Sequence, residues 1–438
     1  MMHFEPIIQR KKIQTGSVVL FCLLLTACSS NRPLMPAPNV YQGAEAPALF
    51  TDLPDELKSN QIDLLYVTDR TPETDEDGNL TYGYGRSRSM AFGSAVVSIE
   101  PEMTWADLEK ISLETDRSTE LTLQLDSIRE IGRYPETPPS IVLIDGQAQT
   151  DPAAIEEERI TDQLLHTEIK RRLEFATKPE IVLFVHGFNN PFDQAALVLA
   201  EVWHFMGREH IPILYTWPAG RGGASGYIYD RESGEFTIHH LKNLLRSLTK
   251  IEEIEKFHLI AHSRGTDVLT TALRELVLEE RATHGDIPVS LSSSKLILAA
   301  PDMDIGVVEQ RLIAEKIYLG MSDATIYTSP QDKAISMAER FFKSVTRLGS
   351  VSVDEMSDKD LSSIENIQGI SIVEFRGKTD KTGHSYFHTS PAASSDLILT
   401  IRYGFSAGSE NGRPLTRLAP GFWAMEDDYP SPPESDDQ

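Results

Sequence analysis

The chain has 438 residues, of which 40% are hydrophobic and 24% are charged, and these ordinary globular proportions exclude wholesale disorder. Its 66 acidic residues outnumber its 41 lysines and arginines, which gives a formal net charge of -25. Such a chain lacks the positive surface of a nucleic-acid-binding protein, and anionic lipids would repel it unless it is anchored. The only cysteines, Cys22 and Cys28, lie near the N-terminus. The rest of the chain therefore has no disulfide framework, thiolate metal site or cysteine nucleophile.

Residues 1–27 have the pattern of a secretory signal peptide. Three basic residues at 10–12 precede an apolar run, Val18–Leu25, that is much shorter than the roughly 20 residues needed to span a bilayer. The following Thr-Ala-Cys resembles the lipobox of bacterial lipoproteins. That resemblance implies cleavage before Cys28, acylation of Cys28 and a lipid-anchored place in the bacterial envelope; Ser29 resembles lipoproteins sorted to the outer membrane. The alternative is an ordinary secretory signal with an incidental cysteine.

Both ends of the mature chain are read as non-globular. Residues 28–60 contain five prolines and no periodic pattern, which predicts a tether between the membrane anchor and the folded domain. Residues 406–438 are read as an acidic tail, because 426–438 holds six acids, three prolines and no basic residue. The folded domain is then expected over 61–405.

The catalytic core, 178–405, alternates short apolar runs with segments of helical periodicity. This alternation predicts a mostly parallel sheet flanked by helices, an α/β fold with one core. The predicted strands are Ile181–Val185, Ile211–Thr216, Phe257–Ala261, Lys295–Ala300, Thr325–Thr328 and Ile370–Phe375, and the predicted helices cover roughly 192–208, 238–255, 305–319 and 332–346, with another after Ser263.

The region 61–177 is assigned to opening strands and a helix of the same sheet. Ile62–Thr68 and Ala95–Ile99 resemble strands, and an acidic loop at 71–79 lies between them. Asp151 followed by a proline predicts the start of a helix.

One pentapeptide is a candidate catalytic motif. It is Ala261-His262-Ser263-Arg264-Gly265, which lies where a predicted strand turns into a predicted helix. This is the context of a nucleophile elbow, in which small flanking residues permit a sharp turn and the serine hydroxyl lies at a helix N-terminus. The pattern therefore predicts Ser263 as a nucleophile. The alternative is a serine that only caps the helix.

A histidine follows the last predicted strand. His384 is therefore expected to act as the general base and then the general acid. His388, four residues later, could pair with it as a metal ligand, but no third ligand has matching spacing, so neither a metal nor a cofactor is expected.

The strand Ile181–Val185 ends in His186-Gly187-Phe188-Asn189, and backbone N–H groups at Phe188 and Arg264 are the expected oxyanion hole. Three further histidine positions are read as non-catalytic: His186 as a loop-fixing residue, His262 as scaffold and the pair 239–240 as solvent-facing. The glycine-rich segment 218–236 is read either as a lid, with Tyr227 and Tyr229 as candidate contacts, or as an ordinary surface loop.

Several blocks together resemble the bacterial α/β-hydrolase family known as domain of unknown function 900. They are 66–70, 183–190, 215–218, 259–263, 299–302 and 383–386, within a match from about 62 to 395. The resemblance implies an α/β-hydrolase fold and a serine hydrolase mechanism, without naming a substrate. Many members have methionine after the nucleophile where this chain has Arg264.

The usual α/β-hydrolase arrangement also bears on the triad acid. There the acid follows the strand that precedes the one delivering the histidine, which favours Asp332 over Asp302, with Asp304 a nearby third candidate. Asp302 would then be structural, as the cap of a helix that begins near Gly306.

The leading hypothesis is a membrane-anchored serine hydrolase that cleaves carboxylic esters, of small molecules or lipids, through an acyl-enzyme. One alternative is a non-catalytic envelope scaffold that retains the fold, because fold alone does not prove activity. Another is thioester, amide or phospholipid cleavage by the same triad. Sequence does not identify the substrate, the oligomeric state or protein partners.

Overall fold

The structure is a computed structural model that describes residues 31–115, 117–285, 289–342, 346–357, 361, 367 and 369–431. The predicted signal peptide, 1–27, and the predicted acylation site, Cys28, lie outside the described residues.

Sixteen strands are described. They are β1 Arg32–Pro33, β2 Gln61–Thr74, β3 Leu80–Ile99, β4 Thr122–Arg133, β5 Ile141–Ile144, β6 Gln147–Thr150, β7 Glu180–Val185, β8 Ile211–Thr216, β9 Lys256–His262, β10 Lys295–Ala299, β11 Asp323–Thr328, β12 Ile370–Phe375, β13 Ser406–Ala407, β14 Gly412–Arg413, β15 Thr416–Ala419 and β16 Phe422–Met425.

The α-helices within the described ranges are α1 Trp105–Ser112, α2 Pro152–Leu173, α3 Phe192–Phe205, α4 Gly223–Leu248, α5 Gly265–Thr283, α6 Val289–Ser292, α7 Ile305–Val308, α8 Lys333–Phe342, α9 Tyr386–Thr389 and α10 Pro391–Ile401. The predicted helix over 305–319 is wrong in part. Only α7 is α-helical there, and a π-helical turn, Glu309–Ile313, and a 3-10 turn, Ile317–Gly320, follow it.

Twelve strands form one sheet in the order β1-β4-β3-β2-β8-β7-β9-β10-β11-β12-β16-β15. The pairs from β2 through β8, β7, β9, β10, β11 and β12 to β16 are all parallel, whereas both edges are antiparallel. The predicted mostly parallel α/β architecture is therefore confirmed. Strands β2, β3 and β4, from the region 61–177, belong to this sheet.

The central strands are buried on both faces, so alternate residues supply two cores. In β7, Val182 and Phe184 pack on one side with α3 and α10, whereas Ile181, Leu183 and Val185 pack on the other with α4 and α5. Because β7, β8 and β9 are parallel neighbours, their C-terminal ends all emerge at the same edge of the sheet.

The prediction of a free tether over 28–60 is wrong for its described part. Arg32 pairs with Leu123 of β4, and the hydroxyl of Tyr41 donates to the carbonyl of Phe205 at 2.6 Å. Seven apolar residues of this segment are buried: Leu34, Met35, Ala37, Val40, Tyr41, Leu49 and Leu53. The prolines interrupt any periodic pattern but leave enough apolar side chains between them to cover the core.

The prediction of an acidic tail over 406–438 is also wrong for its described part. Strand β16 pairs in parallel with β12 and extends the main sheet, and β15 forms the outer edge beside it. Phe422 and Met425 are buried. The strands are only two to four residues long, too short for the alternation that signals a strand in sequence. Residues 432–438 lie outside the described residues.

A buried charge network fixes this C-terminal segment. Arg413 donates from Nε to Oδ1 of Asp396 at 3.0 Å and from Nη2 to Oδ2 at 2.5 Å, and neither side chain is exposed. The hydroxyls of Tyr327, on β11, and Tyr429 also donate to Asp396, at 2.8 and 2.5 Å. Arg413 donates further to Thr325 of β11 at 3.1 Å. The network therefore joins the last segment to α10 and to β11.

Replacing Arg413 with Met should lower the free energy of unfolding by about 3–5 kcal/mol, because Asp396 would keep a buried charge without its partner. Chemical denaturation followed by circular dichroism measures the change. The exposed Arg417, on β15, provides the control: Arg417→Met should shift stability by no more than about 0.5 kcal/mol. Equal effects of the two substitutions would contradict the importance of the buried pair.

Candidate active site

Ser263 occupies a strained turn between β9 and α5. Its φ is 52°, in the left-handed region that non-glycine residues rarely adopt. Its N–H donates to the carbonyl of Ala299 at 2.9 Å, and its own carbonyl accepts from the N–H of Asp302 at 3.3 Å. These bonds hold the turn, and the strain coincides with the serine that the sequence predicts as the nucleophile.

Two glycines allow three backbone segments to meet at this turn. A Cβ on Gly265 would lie 2.2 Å from the carbonyl oxygen of His186, and a Cβ on Gly187 would lie 2.8 Å from the Cβ of Ser263. Any side chain at either position would force the segments apart. The loop that begins at His186 therefore lies directly against Ser263, and this loop carries Phe188.

Asp332 and His384 are brought together. Oδ2 of Asp332 lies 2.6 Å from Nδ1 of His384; the carboxylate is fully buried, whereas 16% of the imidazole side chain is exposed. The other oxygen, Oδ1, accepts from the N–H groups of Ala334 and Ile335, at 2.9 and 3.0 Å. Asp332 therefore also caps the N-terminus of α8, which fixes its orientation.

His384 lies beside the turn that contains Ser263. The rings of His384 and His262 are 4.7 Å apart between centroids, and Nε2 of His262 lies 3.1 Å from the carbonyl oxygen of His384. Burial lowers the pKa of His262 well below its ordinary value, with the neighbouring His384 acting in the same direction. His262 is thus a neutral ring that contacts the imidazole and the backbone of His384.

The other two candidate acids have different partners. Asp302 accepts from the hydroxyl of Tyr227 at 2.5 Å and pairs with Arg347 at 3.0 Å. Asp304 caps α7 by accepting from the N–H of Gly306 at 2.8 Å. The idea that Asp302 caps this helix is therefore wrong, because the cap belongs to Asp304.

The structure also tests the predictions made for His388 and for the histidine pair 239–240. His388 does not share a site with His384: its Nδ1 lies 2.8 Å from Glu201, which also binds Arg32 at 2.7 Å. His240 is buried and pairs with Asp69 at 2.9 Å, so its reading as solvent-facing is wrong; one helical position away, the exposed His239 keeps the expected orientation. The pairing with Asp69 comes from a distant strand, which sequence spacing does not reveal.

His186 fixes the loop that bears Phe188. Its Nδ1 donates to the carbonyl of Gly187 at 2.9 Å, and its Nε2 accepts from the N–H of Trp217 at 3.1 Å. Burial lowers the pKa of His186 well below its ordinary value, with the charge of Arg70 as a second cause. The neutral ring and its stacking on Trp217, with centroids 5.3 Å apart, agree with a structural role.

Arg70 and Asp230 support the same loop, and sequence reasoning did not identify either as part of the site. Arg70 is buried and donates to the carbonyls of Asn190 and Ala219, both at 2.7 Å. Asp230 accepts from the N–H of Asn189 at 2.9 Å, and burial raises its pKa. Arg70 lies in one of the resembling sequence blocks, the one available signal of its importance.

The segment 218–236 is mostly helix rather than loop, because α4 begins at Gly223. Tyr227, on this helix, packs its ring against Phe188 with centroids 5.2 Å apart. Tyr229 turns away and donates to the carbonyl of Tyr84 at 2.9 Å. A long, packed helix is a wall of the site, and the segment is not an open lid loop.

A mostly parallel sheet flanked by helices, with a strained serine between a central strand and its helix, defines an α/β-hydrolase. The family model described as alpha/beta hydrolase of unknown function, DUF900, matches residues 161–402, more than half of the chain, and the chain belongs to this family. Comparison of the chain with the curated proteins and with the solved structures found no match. Among the helices of the described residues, none is long and apolar enough to cross a membrane.

Proposed function

We propose that the protein is a serine hydrolase that cleaves carboxylic esters through an acyl-enzyme, with Ser263, His384 and Asp332 as its triad. The observation that carries the proposal is the contact of 2.6 Å between Asp332 and His384, on loops that converge on the strained turn of Ser263. The alternative acid, Asp302, is engaged by Tyr227 and Arg347 instead.

In the proposed reaction, the hydroxyl oxygen of Ser263 attacks the ester carbonyl carbon while His384 accepts the hydroxyl proton. The carbonyl oxygen becomes an oxyanion, which the backbone N–H groups of Phe188 and Arg264 would stabilise. Collapse of this intermediate breaks the bond to the alcohol, which leaves with the proton from His384. Water then attacks the acyl-enzyme by the same route, and the products are the acid and the free serine.

The surroundings of Asp332 suit the role of an orienting anion. Its Oδ1 is held by two backbone N–H groups at the start of α8, where the helix dipole favours negative charge. Its Oδ2 remains directed at Nδ1 of His384. The carboxylate can therefore hold the imidazole in one tautomer and stabilise the imidazolium that forms during proton transfer.

Arg264 gives the site a feature beyond its backbone N–H. Its guanidinium pairs with Asp267 at 2.8 Å, one turn further along α5, and only 10% of the side chain is exposed. The side chain is thus held against its own helix. Arginine in place of the methionine found in many family members therefore leaves the backbone N–H of residue 264 available as a donor.

Ser263→Ala should abolish both labelling by a fluorophosphonate probe and hydrolysis of a panel of ester substrates, because the probe and the esters need the same nucleophile. Thermal melts should show that the variant stays folded. Labelling that persists in Ser263→Ala would place the nucleophile elsewhere. A folded wild-type protein that neither takes the probe nor cleaves any ester would favour the non-catalytic scaffold.

Asp332→Asn should lower kcat by about 10⁴-fold, because the neutral amide keeps an acceptor for the helix cap but loses the charge that stabilises the imidazolium. Asp302→Asn is the matched control on the neighbouring loop, and it should retain most of kcat. Thermal melts separate a catalytic loss from unfolding. The assignment fails if Asp302→Asn removes kcat in a folded protein and Asp332→Asn does not.

We further propose that Cys28 is acylated and anchors the protein in the cell envelope, on the basis of the lipobox-like sequence before it. Because Arg32 already belongs to β1, only Ser29, Ser30 and Asn31 would separate anchor and domain, a reach of about 14 Å when extended. Labelled fatty acid should be incorporated into the wild-type protein and not into Cys28→Ala. Equal labelling of both would refute the anchor.

A further inference from the structure

A second cluster of reactive side chains lies at the end of the sheet opposite Ser263. Glu180 begins β7, His210 directly precedes β8, and His258 is the third residue of β9. These strands are adjacent and parallel in the order β8-β7-β9. Four residues of β9 lie between His258 and Ser263, and the five steps from one to the other span about 17 Å of extended chain.

The three side chains share one face of the sheet. Ile181 pairs with Ile211, so Glu180 and His210 occupy equivalent positions just before that pair. Val182 pairs with His258, and residues two apart on a strand point to the same face, so His258 lies on the same face as Glu180. All three are buried, with 7%, 1% and 2% of their surfaces exposed for Glu180, His210 and His258.

Their donor atoms converge on one point. Oε2 of Glu180 lies 3.0 Å from Nε2 of His258 and 3.4 Å from Nε2 of His210, and one donor atom from each of the three lies within 4.8 Å of the others. Tetrahedral zinc with ligand bonds of about 2.1 Å keeps its ligand atoms about 3.4 Å apart. The spacing of the cluster therefore fits three ligands of one such ion.

We propose that Glu180, His210 and His258 bind one divalent transition-metal ion of the zinc class. Two imidazole nitrogens and one carboxylate oxygen are donors that Zn²⁺ accepts, whereas Mg²⁺ and Ca²⁺ require mostly oxygen ligands. The distance from Ser263 makes this ion a structural element that clamps three strands together. It has no part in the proposed hydrolysis.

Two observations on the surrounding residues support the site. The second carboxylate oxygen, Oε1, of Glu180 accepts from Nζ of Lys256 at 2.7 Å, the kind of outer hydrogen bond that orients a ligating carboxylate. His210 also lines a cavity of about 520 Å³, together with Trp203 and Arg208, so that this cavity reaches one of the three proposed ligands.

The simpler reading is an ion-pair network in which Lys256 and His258 neutralise Glu180. That network satisfies His210 poorly, because within the described part of the chain its buried Nδ1 has no hydrogen-bond partner, and its Nε2 lies 3.4 Å from Oε2 of Glu180, beyond the about 2.7–3.2 Å of an ordinary hydrogen bond. A buried imidazole nitrogen without a hydrogen-bond partner loses its hydrogen bonds to water, and no interaction in the protein compensates for that loss. An ion bound at Nε2 of His210 and Oε2 of Glu180 would replace the long contact at Nε2 with a ligand bond.

The first experiment uses the full chain, stripped of metal with a chelator and titrated with ZnCl₂ in a calorimeter. We expect one saturable Zn²⁺ per chain, a Tm raised by several degrees, and no comparable binding of Mg²⁺ or Ca²⁺. X-ray absorption at the zinc edge should report nitrogen and oxygen ligands at about 2.0–2.2 Å. Absence of saturable binding, or sulfur ligands from Cys22 or Cys28, would overturn the proposal without any variant.

The second experiment compares variants by the same titration. Glu180→Gln and His258→Gln should each bind Zn²⁺ at least tenfold more weakly. His239→Gln is the control, since it removes an exposed histidine outside the cluster and should leave binding unchanged. Lys256→Gln should bind Zn²⁺ more weakly, because it removes the charged hydrogen bond that orients the carboxylate of Glu180. Unchanged affinity in folded Glu180→Gln and His258→Gln would also overturn the site.

Discussion

The structure depends on a steric constraint at one point, where the turn after β9, the loop after β7 and the start of α5 approach within van der Waals distance. Gly187 and Gly265 are the residues that permit it, because a Cβ on either would collide with Ser263 or with the carbonyl of His186. Ser263, at the same point, has a positive φ of 52°. The parallel register of β7 and β9 brings these segments to a common edge, so the fold and the site share one geometric cause.

The two ends of the parallel strands hold two different groups of charged side chains. At the C-terminal ends, Arg70 and Asp230 hold the loop beside Ser263 through hydrogen bonds to its backbone. At the N-terminal ends, Glu180 and His258 face one another in a buried cluster. Buried apolar residues of β7 and β9 lie between the two ends.

The features that the sequence predicted well are those that depend on the pattern of consecutive residues. Apolar runs located every parallel strand from β7 to β12, and the strand–turn–helix context located Ser263. Composition misled the prediction in three places. The prolines of 31–59 suggested a tether although apolar residues of this segment are buried, the acidic C-terminal residues suggested a tail where β16 forms, and the glycines of 218–236 suggested a loop where α4 begins. Sequence patterns also failed where partners lie far apart in the chain. No spacing rule brings Arg70 to Asn190, or His210 to Glu180 and His258, because the fold alone makes them neighbours.

The carboxylate of Asp332 makes two contacts at once, because Oδ2 faces His384 and Oδ1 caps the N-terminus of α8. This double use restricts the mutational routes open to the chain. Glutamate preserves the charge, but its longer side chain is a poor cap for the same helix start. Asparagine preserves the cap and loses the charge. If Asp332 is the triad acid, as proposed, that acid could move to another loop only through an intermediate that sacrifices either the helix cap or the orientation of the imidazole. Its position would then be hard to change one substitution at a time.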